Sequence, residues 1–536
     1  MDFAVSIPKA APAHADKSLH RPSLPVPGLL ILITIVAASL RFHALAAKTF
    51  WFDEGVSVGI ARLDGYDFAR ILWRREANMS LYYLLLRGWL RLGESEAFVR
   101  SLSIVFALAT IPVLYFLGRR LFGARAGLIA ALLLAVHAYH VRYSQEARSY
   151  SLMVLLCAGS SLFFLQSLEL PSRRNRIAAI VLSSAAVYAH FYSGLLILAQ
   201  WLSLLFLEGQ SIPKQMRRDW RWIALWVSPI AVFVATTGAG PLRWIRRPGF
   251  KDLWELGLRL TGNHGVLLGI AYLIAGLAAL ASASSGLRKR APWEAWRYRF
   301  LLLWLMFPIF SVFVLSLARP LFLPRYFILC LPALLLIAAA GLCRIRSPWI
   351  VALATLVCVV LSLQGTASYY QRDFENTPRE DWRAASQYIL TNAQPGDAMV
   401  FHIAMGRMPY EYYLSLQPAP SSSPVVLYPS HGDRIVFRDF VEKPSYDQIG
   451  HGLSKYRRVW LVLSHAEDAS GPDETSIHLA RLIAGGHGDA DAHDFNGLKV
   501  VLYRGDLLPG GALGGHPQPS PPPPGGRGFA APNKDY

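Results

Sequence analysis

Long apolar runs alternate with short polar segments along the first two thirds of the chain. Many of these runs approach the ~20 residues that a helix needs to cross the hydrocarbon core of a bilayer. Their recurrence predicts a polytopic α-helical membrane protein with about 11–13 transmembrane helices. The clearest spans are residues 29–40, 97–118, 123–138, 150–170, 177–190, 191–207, 222–237, 266–282, 300–317, 323–342 and 349–363.

Between the first two spans, residues 48–95 form a polar and aromatic segment that we predict to be the first outer loop. Residues 56–73 and 81–92 within it are amphipathic, a pattern typical of helices that lie in the membrane interface. We therefore assign the membrane domain to residues 28–365 and do not count residues 81–92 as a span.

Basic residues cluster at alternate ends of the predicted spans. Because cytoplasmic loops carry an excess of lysine and arginine, these clusters predict a cytoplasmic N-terminus and an outward-facing first loop. The same parity places everything after residue 363 outside the cytoplasm. One basic cluster, residues 243–251, is an exception because this parity places it on the outer side. It could bind an anionic lipid headgroup specifically, or it could simply anchor the chain among the membrane headgroups.

The composition supports a membrane protein: 53% of the residues are hydrophobic and 16% are charged, against ~25% charged in soluble proteins. The net charge of +18 does not indicate nucleic-acid binding, because the bases lie in short clusters between apolar runs. The four cysteines lie in or beside apolar runs without metal-ligand spacing. We therefore expect neither a disulfide framework nor a zinc site.

The regions outside the membrane domain differ in composition. Residues 1–27 are predicted to be a disordered cytoplasmic arm, and the Pro/Gly-rich residues 507–536 a disordered tail. Residues 366–506 are predicted to form a small extracytoplasmic α/β domain. Its elements are a capping box at Thr377 to Glu380 that opens a helix over residues 381–390, and strands over residues 398–402, 425–428, 459–463 and 499–503.

Candidate chemistry begins with Asp53 and Glu54, which stand close to the point where the first span leaves the bilayer. Charges near hydrocarbon cost free energy, which favours a function for this pair, although acids at a helix N-terminus are the simpler interpretation. Further polar groups fall in the predicted outward connections: Glu76, Asn78, Tyr82, Tyr83, Tyr143, Gln145, Glu146, Arg148, His190, Tyr192, Arg319, Arg325 and Tyr326.

These groups together describe a site for group transfer from a lipid phosphate, since carboxylates can deprotonate an acceptor while arginines hold the phosphate. Simpler roles remain open for single residues: a surface ion pair for Glu146 and Arg148, a boundary residue for His190, and snorkelling for Arg319 and Arg325. A transporter is the rival class, but it would place charges at mid-membrane on broken helices. Here the polar groups concentrate at one face.

Five short runs occur in a fixed order along the membrane part: F-W-F-D-E-G at residues 50–55, L-Y-Y-L-L-L-R at 81–87, G-R-R-L-F-G at 118–123, Y-S-Q-E-A-R-S-Y at 143–150 and P-R-Y-F at 324–327. This set and its order resemble the bacterial family 39 glycosyltransferases, which are similar to lipid A aminoarabinose transferase and protein O-mannosyltransferases and have the GT-C fold. By this resemblance, Asp53 matches the catalytic aspartate of the first outer loop and has Glu54 beside it. Glu146 matches the second acidic loop, and Arg325 with Tyr326 matches the loop that meets the lipid-linked phosphate.

The resemblance implies an enzyme that moves a sugar from a polyprenyl-phosphate donor to an envelope lipid, glycan or protein acceptor at the outer face of the bacterial inner membrane. Its partners would be that donor, the acceptor and membrane lipids. Adjacent side chains at Asp53 and Glu54 point in different directions, so they do not suit a retaining pair and we expect inversion. An oligosaccharide ligase or oligosaccharyltransferase is the alternative within the same class.

One departure from the resemblance concerns metal binding. Many relatives have His-Pro-Pro ahead of Leu-Tyr-Tyr, whereas this chain has Asn78, Met79 and Ser80. The missing histidine removes one side chain that could touch a metal ion or the acceptor. We therefore name no cofactor, and a divalent metal ion remains an open alternative.

The predicted orientation can be tested with reporter fusions. We expect a periplasm-dependent reporter to be active when fused at Arg504, near the end of the outer domain, and inactive at Gln210, in a predicted cytoplasmic connection. Activity at Gln210 together with silence at Arg504 would overturn this orientation.

Overall fold

The computed structural model describes residues 26–170, 172–207, 214–237, 245–262, 266–288, 292–371, 380–417, 422–429, 434–468 and 471–505. The arm predicted for residues 1–27, apart from its last two residues, and the tail predicted for residues 507–536 lie outside these ranges.

The first part of the chain is helical. In chain order its α-helices are α1 (Val26–Phe42), α2 (Phe52–Arg62), α3 (Gly65–Arg74), α4 (Ser80–Trp89), α5 (Glu96–Phe122), α6 (Ala124–Val136), α7 (Ala138–Ser144), α8 (Tyr150–Glu169), α9 (Arg173–Ala189), α10 (Ser193–Leu204), α11 (Lys214–Thr237), α12 (Phe250–Leu260), α13 (Val266–Arg288), α14 (Pro292–Ala318), α15 (Leu331–Leu342) and α16 (Pro348–Tyr370). A 3₁₀ helix, Pro324–Cys330, leads into α15.

Each predicted span coincides with a helix, and the protein is a multi-pass membrane protein. Among the described residues, six helical segments are long and apolar enough to cross a membrane: Glu96–Phe122, Tyr150–Glu169, Gln215–Thr237, Trp293–Ala318, Pro324–Leu342 and Pro348–Tyr370. Helices α6 and α7, bent by 58° at His137, add a seventh if they form one broken span. Val26–Phe42, Ser193–Leu204 and Val266–Ala281 are shorter apolar helices. Within the described residues, length and hydropathy alone thus identify six or seven of the about 11–13 predicted crossings as full spans.

Residues 48–95, which we predicted to be the first outer loop with helices on the membrane interface, fold differently from that prediction. The amphipathic run over residues 56–73 is two helices, because the Asp64 carboxylate accepts a hydrogen bond from the Asp67 amide (2.8 Å) and starts α3 anew. Residues 54–61 of α2 are all buried. Helix α2 therefore lies inside the protein rather than on the membrane interface.

The rest of the described chain forms a small α/β domain. Its helices are α17 (Trp382–Asn392), α18 (Arg407–Ser415), α19 (Tyr446–Leu453) and α20 (Glu474–Ala484), and its strands are β1 (Ala398–Phe401), β2 (Val425–Tyr428), β3 (Arg458–Ser464), β4 (Glu467–Asp468), β5 (Gly471–Pro472), β6 (Asp489–Phe495) and β7 (Leu498–Arg504). The main sheet has the order β2-β1-β3-β7-β6. Strand β1 is parallel to β2 and β3, and β7 is antiparallel to β3 and β6.

The four predicted strands are present, and the structure adds the edge strand β6. Its sequence is polar and mostly exposed, so it lacks the apolar alternation that marks a strand. Helix α17 begins with Asp381 as its N-cap, whose carboxylate accepts from the Ala384 amide (3.0 Å). The predicted cap at Thr377 lies outside the described residues, and Glu380 binds elsewhere, as described below.

The α/β domain packs directly on α2. A Cβ atom on Gly55 would lie 2.6 Å from the Cβ of Pro409, and one on Gly59 would lie 3.0 Å from the sulfur of Met408. These two glycines, one turn apart, let α18 approach the backbone of α2. Helix α2 is therefore held between the membrane helices and the α/β domain.

Candidate active site

The adjacent acids Asp53 and Glu54 lie in the first turn of α2 and point in different directions. The Glu54 side chain is 1% exposed, whereas the Asp53 side chain is 24% exposed. This divergence follows from the ~100° turn between successive residues of a helix. The two carboxylates therefore have different surroundings and different partners.

Glu54 forms a buried ion pair with Arg100 at the start of α5. Arg100 donates from Nε to Glu54 Oε1 (2.8 Å) and from Nη2 to Oε2 (2.7 Å), and the Ala147 amide also donates to Oε1 (2.8 Å). Arg100 donates further to the carbonyls of Leu45, Lys48 and Thr49. Through these hydrogen bonds, Arg100 connects α5 to the segment after α1 and to α2, and Glu54 connects α2 to the loop that follows α7.

Asp53 lies between two arginines. Its Oδ2 atom is 3.5 Å from Nη2 of Arg148 and 3.8 Å from Nη2 of Arg325. Both distances exceed the ~2.7–2.9 Å of a charge-assisted hydrogen bond. The arrangement is a loose ion-pair cluster in which one carboxylate faces two guanidinium groups.

Arg148 is positioned by the loop that follows α7. Its Nη1 atom donates to Ser57 Oγ (3.2 Å) and to the Asp53 carbonyl (3.3 Å). The Arg148 carbonyl accepts from Ser103 Oγ (3.1 Å), which lies 3.0 Å from the Tyr82 hydroxyl. Tyr82 is thus a support for the Arg148 backbone.

Arg325 is surrounded by aromatic rings. It lies in the 3₁₀ helix Pro324–Cys330, with its guanidinium 5.8 Å from the centre of the Trp51 ring and 5.7 Å from that of Tyr326. The Tyr326 ring packs against His190 (4.6 Å between centroids) and Tyr192 (5.0 Å). Four segments that are distant in sequence thus meet around Asp53.

Several buried donors near these arginines have no hydrogen-bond partner among the described residues. They are the hydroxyls of Tyr83 and Tyr150, Nε2 of His190 and Nε of Arg148. Tyr83 and Tyr150 each interact electrostatically with both Arg148 and Asp53. A buried polar group without a partner costs free energy. Donors of this kind, gathered beside arginines, suit an anionic ligand.

The protonation of two groups affects the charge near the cluster. Because the Tyr192 amide donates to Nδ1 of His190 (3.3 Å), a neutral His190 carries its proton on Nε2. Burial raises the pKa of Glu76 to about 7; Arg148 and Arg75 oppose this shift and Asp53 adds to it. Glu76 is therefore a second carboxyl group that interacts electrostatically with Asp53 and Arg148, and its charge can change near neutral pH.

The structure brings together seven of the predicted site residues: Asp53, Tyr83, Arg148, His190, Tyr192, Arg325 and Tyr326. The side chains of the other predicted residues contact protein groups or solvent instead. Glu54 binds Arg100, as described above. Gln145 donates to the Arg41 and His43 carbonyls (2.9 Å each).

Glu146 is also separate from the arginine pair at Asp53. It is buried, and its Oε1 atom lies 4.0 Å from Nε of Arg142. Arg319 is exposed and forms no ion pair with any described residue. The expectation that Arg319 shares the phosphate site with Arg325 is therefore not supported by the geometry.

Sequence reasoning missed Arg100 and Tyr150, whereas it included Glu76 among the polar groups of the predicted outward connections. An arginine inside a predicted apolar span was a signal for Arg100, because such a charge requires a partner. Tyr150 ends the run Y-S-Q-E-A-R-S-Y, so the motif itself pointed to it. Asn78, which replaces the histidine of the resemblance, accepts from the Phe191 amide (3.1 Å) and holds the turn that carries His190.

No group of three His, Cys, Asp or Glu side chains that could hold a metal ion occurs within the described ranges.

The different surroundings of the two acids predict different effects of substitution. Glu54→Gln removes the partner of a buried guanidinium, so we expect it to destabilise the protein by about 3–5 kcal/mol. The matched control is Glu94→Gln, which breaks the exposed Arg62–Glu94 pair (2.9 Å) and should cost at most about 1 kcal/mol. Unfolding in detergent measures both, and equal effects of the two substitutions would refute a structural role for Glu54.

Comparisons with known proteins agree with this architecture. A family model described as dolichyl-phosphate-mannose-protein mannosyltransferase matches residues 80–236. No curated protein sequence matches the chain. Among solved structures, ArnT from Cupriavidus metallidurans in the apo state has a TM-score of 0.59 at 15% identity, over 89% of this chain and 98% of that chain. ArnT bound to undecaprenyl phosphate gives the same TM-score and identity over 90% and 99%.

An oligosaccharyltransferase from Archaeoglobus fulgidus, in complex with Zn and sulfate, is less similar, with a TM-score of 0.46 at 12% identity over 81% of this chain and 67% of that chain. The ArnT match extends over nearly the whole chain and establishes the fold, while the family match lies within the membrane part. Together they show that this chain is a membrane protein with the GT-C fold of ArnT; its residues 80–236 resemble the protein mannosyltransferase family and thereby indicate a glycosyltransferase.

Proposed function

We propose that the protein transfers a single sugar from a polyprenyl-phosphate carrier to an acceptor of the cell envelope, with inversion at the anomeric carbon. The observation that carries the proposal is the position of the Asp53 carboxylate, 3.5 Å from Arg148 and 3.8 Å from Arg325. One carboxylate beside two guanidinium groups provides a proton acceptor next to a phosphate-binding site.

Arg148 and Arg325 would bind the phosphate of the donor. Planar guanidinium groups bind phosphate oxygens through paired N–H donors, and both arginines are largely buried, which strengthens such bonds. A phosphate bound by both arginines would lie beside the Asp53 carboxylate, which both of them face. The unpartnered donors of Tyr83, Tyr150 and His190 would supply further hydrogen bonds.

A polyprenyl carrier fits the surroundings of this site. Arg325 opens a helical segment that is apolar enough to cross a membrane, so its guanidinium lies at the end of that segment. A phosphate held there can keep its lipid chain in the bilayer. The fold shared with ArnT, which binds undecaprenyl phosphate in its own structure, supports the same class of donor.

Asp53 would act as the general base. The acceptor's hydroxyl or amine attacks the anomeric carbon, its proton passes to the Asp53 carboxylate, and the bond from that carbon to the phosphate oxygen breaks. The electron pair leaves with the lipid phosphate, whose charge is stabilised by Arg148 and Arg325. Direct attack of this kind inverts the anomeric centre.

The geometry does not suit a retaining mechanism that uses Glu54. Retention needs a second carboxylate ~5 Å away across the sugar. Both oxygens of Glu54 are instead bound by Arg100, and its side chain is 1% exposed. Glu54 would therefore position α2 rather than touch the sugar.

The proposed reaction takes place at the outer face of the bacterial inner membrane. Nucleotide sugars are absent outside the cytoplasm, so a sugar donor at this face needs another leaving group, and a lipid phosphate provides one. Envelope lipids, glycans and proteins are the acceptors that reach this face. The alternation of basic clusters along the sequence supports this orientation.

Asp53→Asn tests the general base. The amide is nearly isosteric but cannot take the proton, so we expect turnover to fall by about 10²–10⁴-fold, with folding and undecaprenyl-phosphate binding retained. Turnover is measured with undecaprenyl-phosphate monosaccharides, and product stereochemistry is read by NMR. Full turnover in this variant, or retention at the anomeric carbon, would exclude the mechanism. An oligosaccharide on the same carrier, offered in parallel, identifies transfer of a whole glycan.

Arg325→Ala tests the phosphate site. Loss of a charged hydrogen-bonding partner should weaken binding of undecaprenyl phosphate by about 1.5–3 kcal/mol, roughly 10- to 150-fold. Arg325→Lys keeps the charge without the planar fork and should restore binding only in part. Arg319→Ala is the matched control, because Arg319 is exposed, and it should bind normally. Unchanged affinity in Arg325→Ala would contradict the assignment.

A further inference from the structure

The α/β domain contributes a buried carboxylate to the start of α2. Glu380 Oε2 accepts from the Phe52 amide (2.7 Å) and from Nε1 of Trp382 (2.8 Å), and Oε1 pairs with Nε2 of His465 (3.1 Å). Glu380 is 5% exposed. Phe52 directly precedes Asp53, so this carboxylate reaches the backbone beside the proposed general base.

This contact caps a helix that has no cap of its own. The first amides of a helix lack partners within it, and the residue before α2, Trp51, provides no side-chain cap. Glu380 supplies the missing acceptor from 328 residues away in the sequence. Its charge also interacts favourably with the positive end of the helix dipole.

His465 completes the arrangement. Its ring lies edge-on to the Phe52 ring, with 5.0 Å between centroids, and its side chain is about half exposed. Its backbone has φ of 53°, a left-handed conformation that is uncommon for residues other than glycine. Such conformations persist only where the surroundings enforce them. The loop after β3 is thus held so that His465 meets Glu380.

Docking of the domain does not depend on this contact alone. Tyr413 lies 2.8 Å from the Phe50 amide and 3.0 Å from Thr49 Oγ1, and Arg383 donates to the Ala46 and Lys48 carbonyls. These bonds hold the segment before α2. Only the Glu380 bond reaches the amide next to Asp53.

We propose that Glu380 and His465 are positioning residues for Asp53, and that the α/β domain thereby completes the active site formed by the membrane helices. The inference rests on the proposed function, because it assigns the effect of both residues to the proton transfer at Asp53. Reacting groups must be held within a fraction of an ångström, and a misplacement of ~1 Å can cost about 100-fold in rate. A cap on the residue before Asp53 provides such restraint.

The test uses Glu380→Gln and His465→Asn in the full-length protein. Both should lower kcat with undecaprenyl-phosphate monosaccharides, by roughly 10- to 100-fold for Glu380→Gln and less for His465→Asn. Affinity for undecaprenyl phosphate should not change, because Arg148 and Arg325 are untouched. Asparagine suits the left-handed backbone at residue 465, so this second variant decides the question if Glu380→Gln does not fold.

Asp397→Asn is the matched control. Asp397 is also a buried carboxylate of the α/β domain that accepts from a backbone amide (Gln394, 3.0 Å) and a tryptophan (Trp460, 2.8 Å), and it pairs with Arg458 (2.9 Å) without contacting α2. Its substitution should leave kcat unchanged. A loss of kcat equal to that of Glu380→Gln would show a general effect of domain stability and overturn the proposal.

A double substitution separates this inference from the proposed function. If Glu380 acts through Asp53, Glu380→Gln should have no further effect on the residual turnover of Asp53→Asn. Independent, multiplicative effects would overturn the positioning role and leave Asp53 as the base. Normal kcat in Glu380→Gln, with Asp53→Asn inactive, would do the same. Full activity of Asp53→Asn would instead refute the proposed function itself.

Discussion

The buried ion pair between Glu54 and Arg100 is the interaction on which the rest of the site depends. Each side chain is 1% exposed and the closest N–O distance is 2.7 Å. Two charges removed from water are tolerated only when they are paired and fully hydrogen-bonded. Arg100 meets this condition by binding three carbonyls of the segment before α2, and Glu54 by accepting the Ala147 amide. One pair thus fixes α2 against α5 and against the loop that carries Arg148.

This pair explains why the two adjacent acids have different surroundings. With Glu54 fixed, the helix geometry turns Asp53 towards Arg148 and Arg325. The Asp53 side chain is 24% exposed and lies 3.5 Å from Arg148, whereas the Glu54 side chain is 1% exposed and paired with Arg100. In the proposed mechanism, Asp53 takes the proton and Glu54 orients the helix that carries it.

The α/β domain also holds helix α2 in place. Helix α2 carries Gly55 and Gly59 on the face that receives α18, and its first amide is capped by Glu380. The helix is thus fixed from the membrane side by Arg100 and from the other side by the α/β domain. In the proposed reaction, this dual restraint would hold Asp53 between the two regions, with the lipid-linked donor approaching from the bilayer and the acceptor from the aqueous side.

The amino-acid sequence alone was enough to predict the helical membrane part, the strands β1, β2, β3 and β7, and most of the polar groups that meet at Asp53. Apolar runs and β-branched runs are local signals of burial, and a short motif such as F-W-F-D-E-G is visible without any contact. The sequence could not decide which acid faces Arg148, since Asp53 and Glu54 are neighbours of the same charge. Only the tertiary structure decided this, because the pairings of Glu54 with Arg100 and of Phe52 with Glu380 join residues 46 and 328 positions apart. Contacts over such separations depend on how the helices pack, and no local pattern encodes that packing.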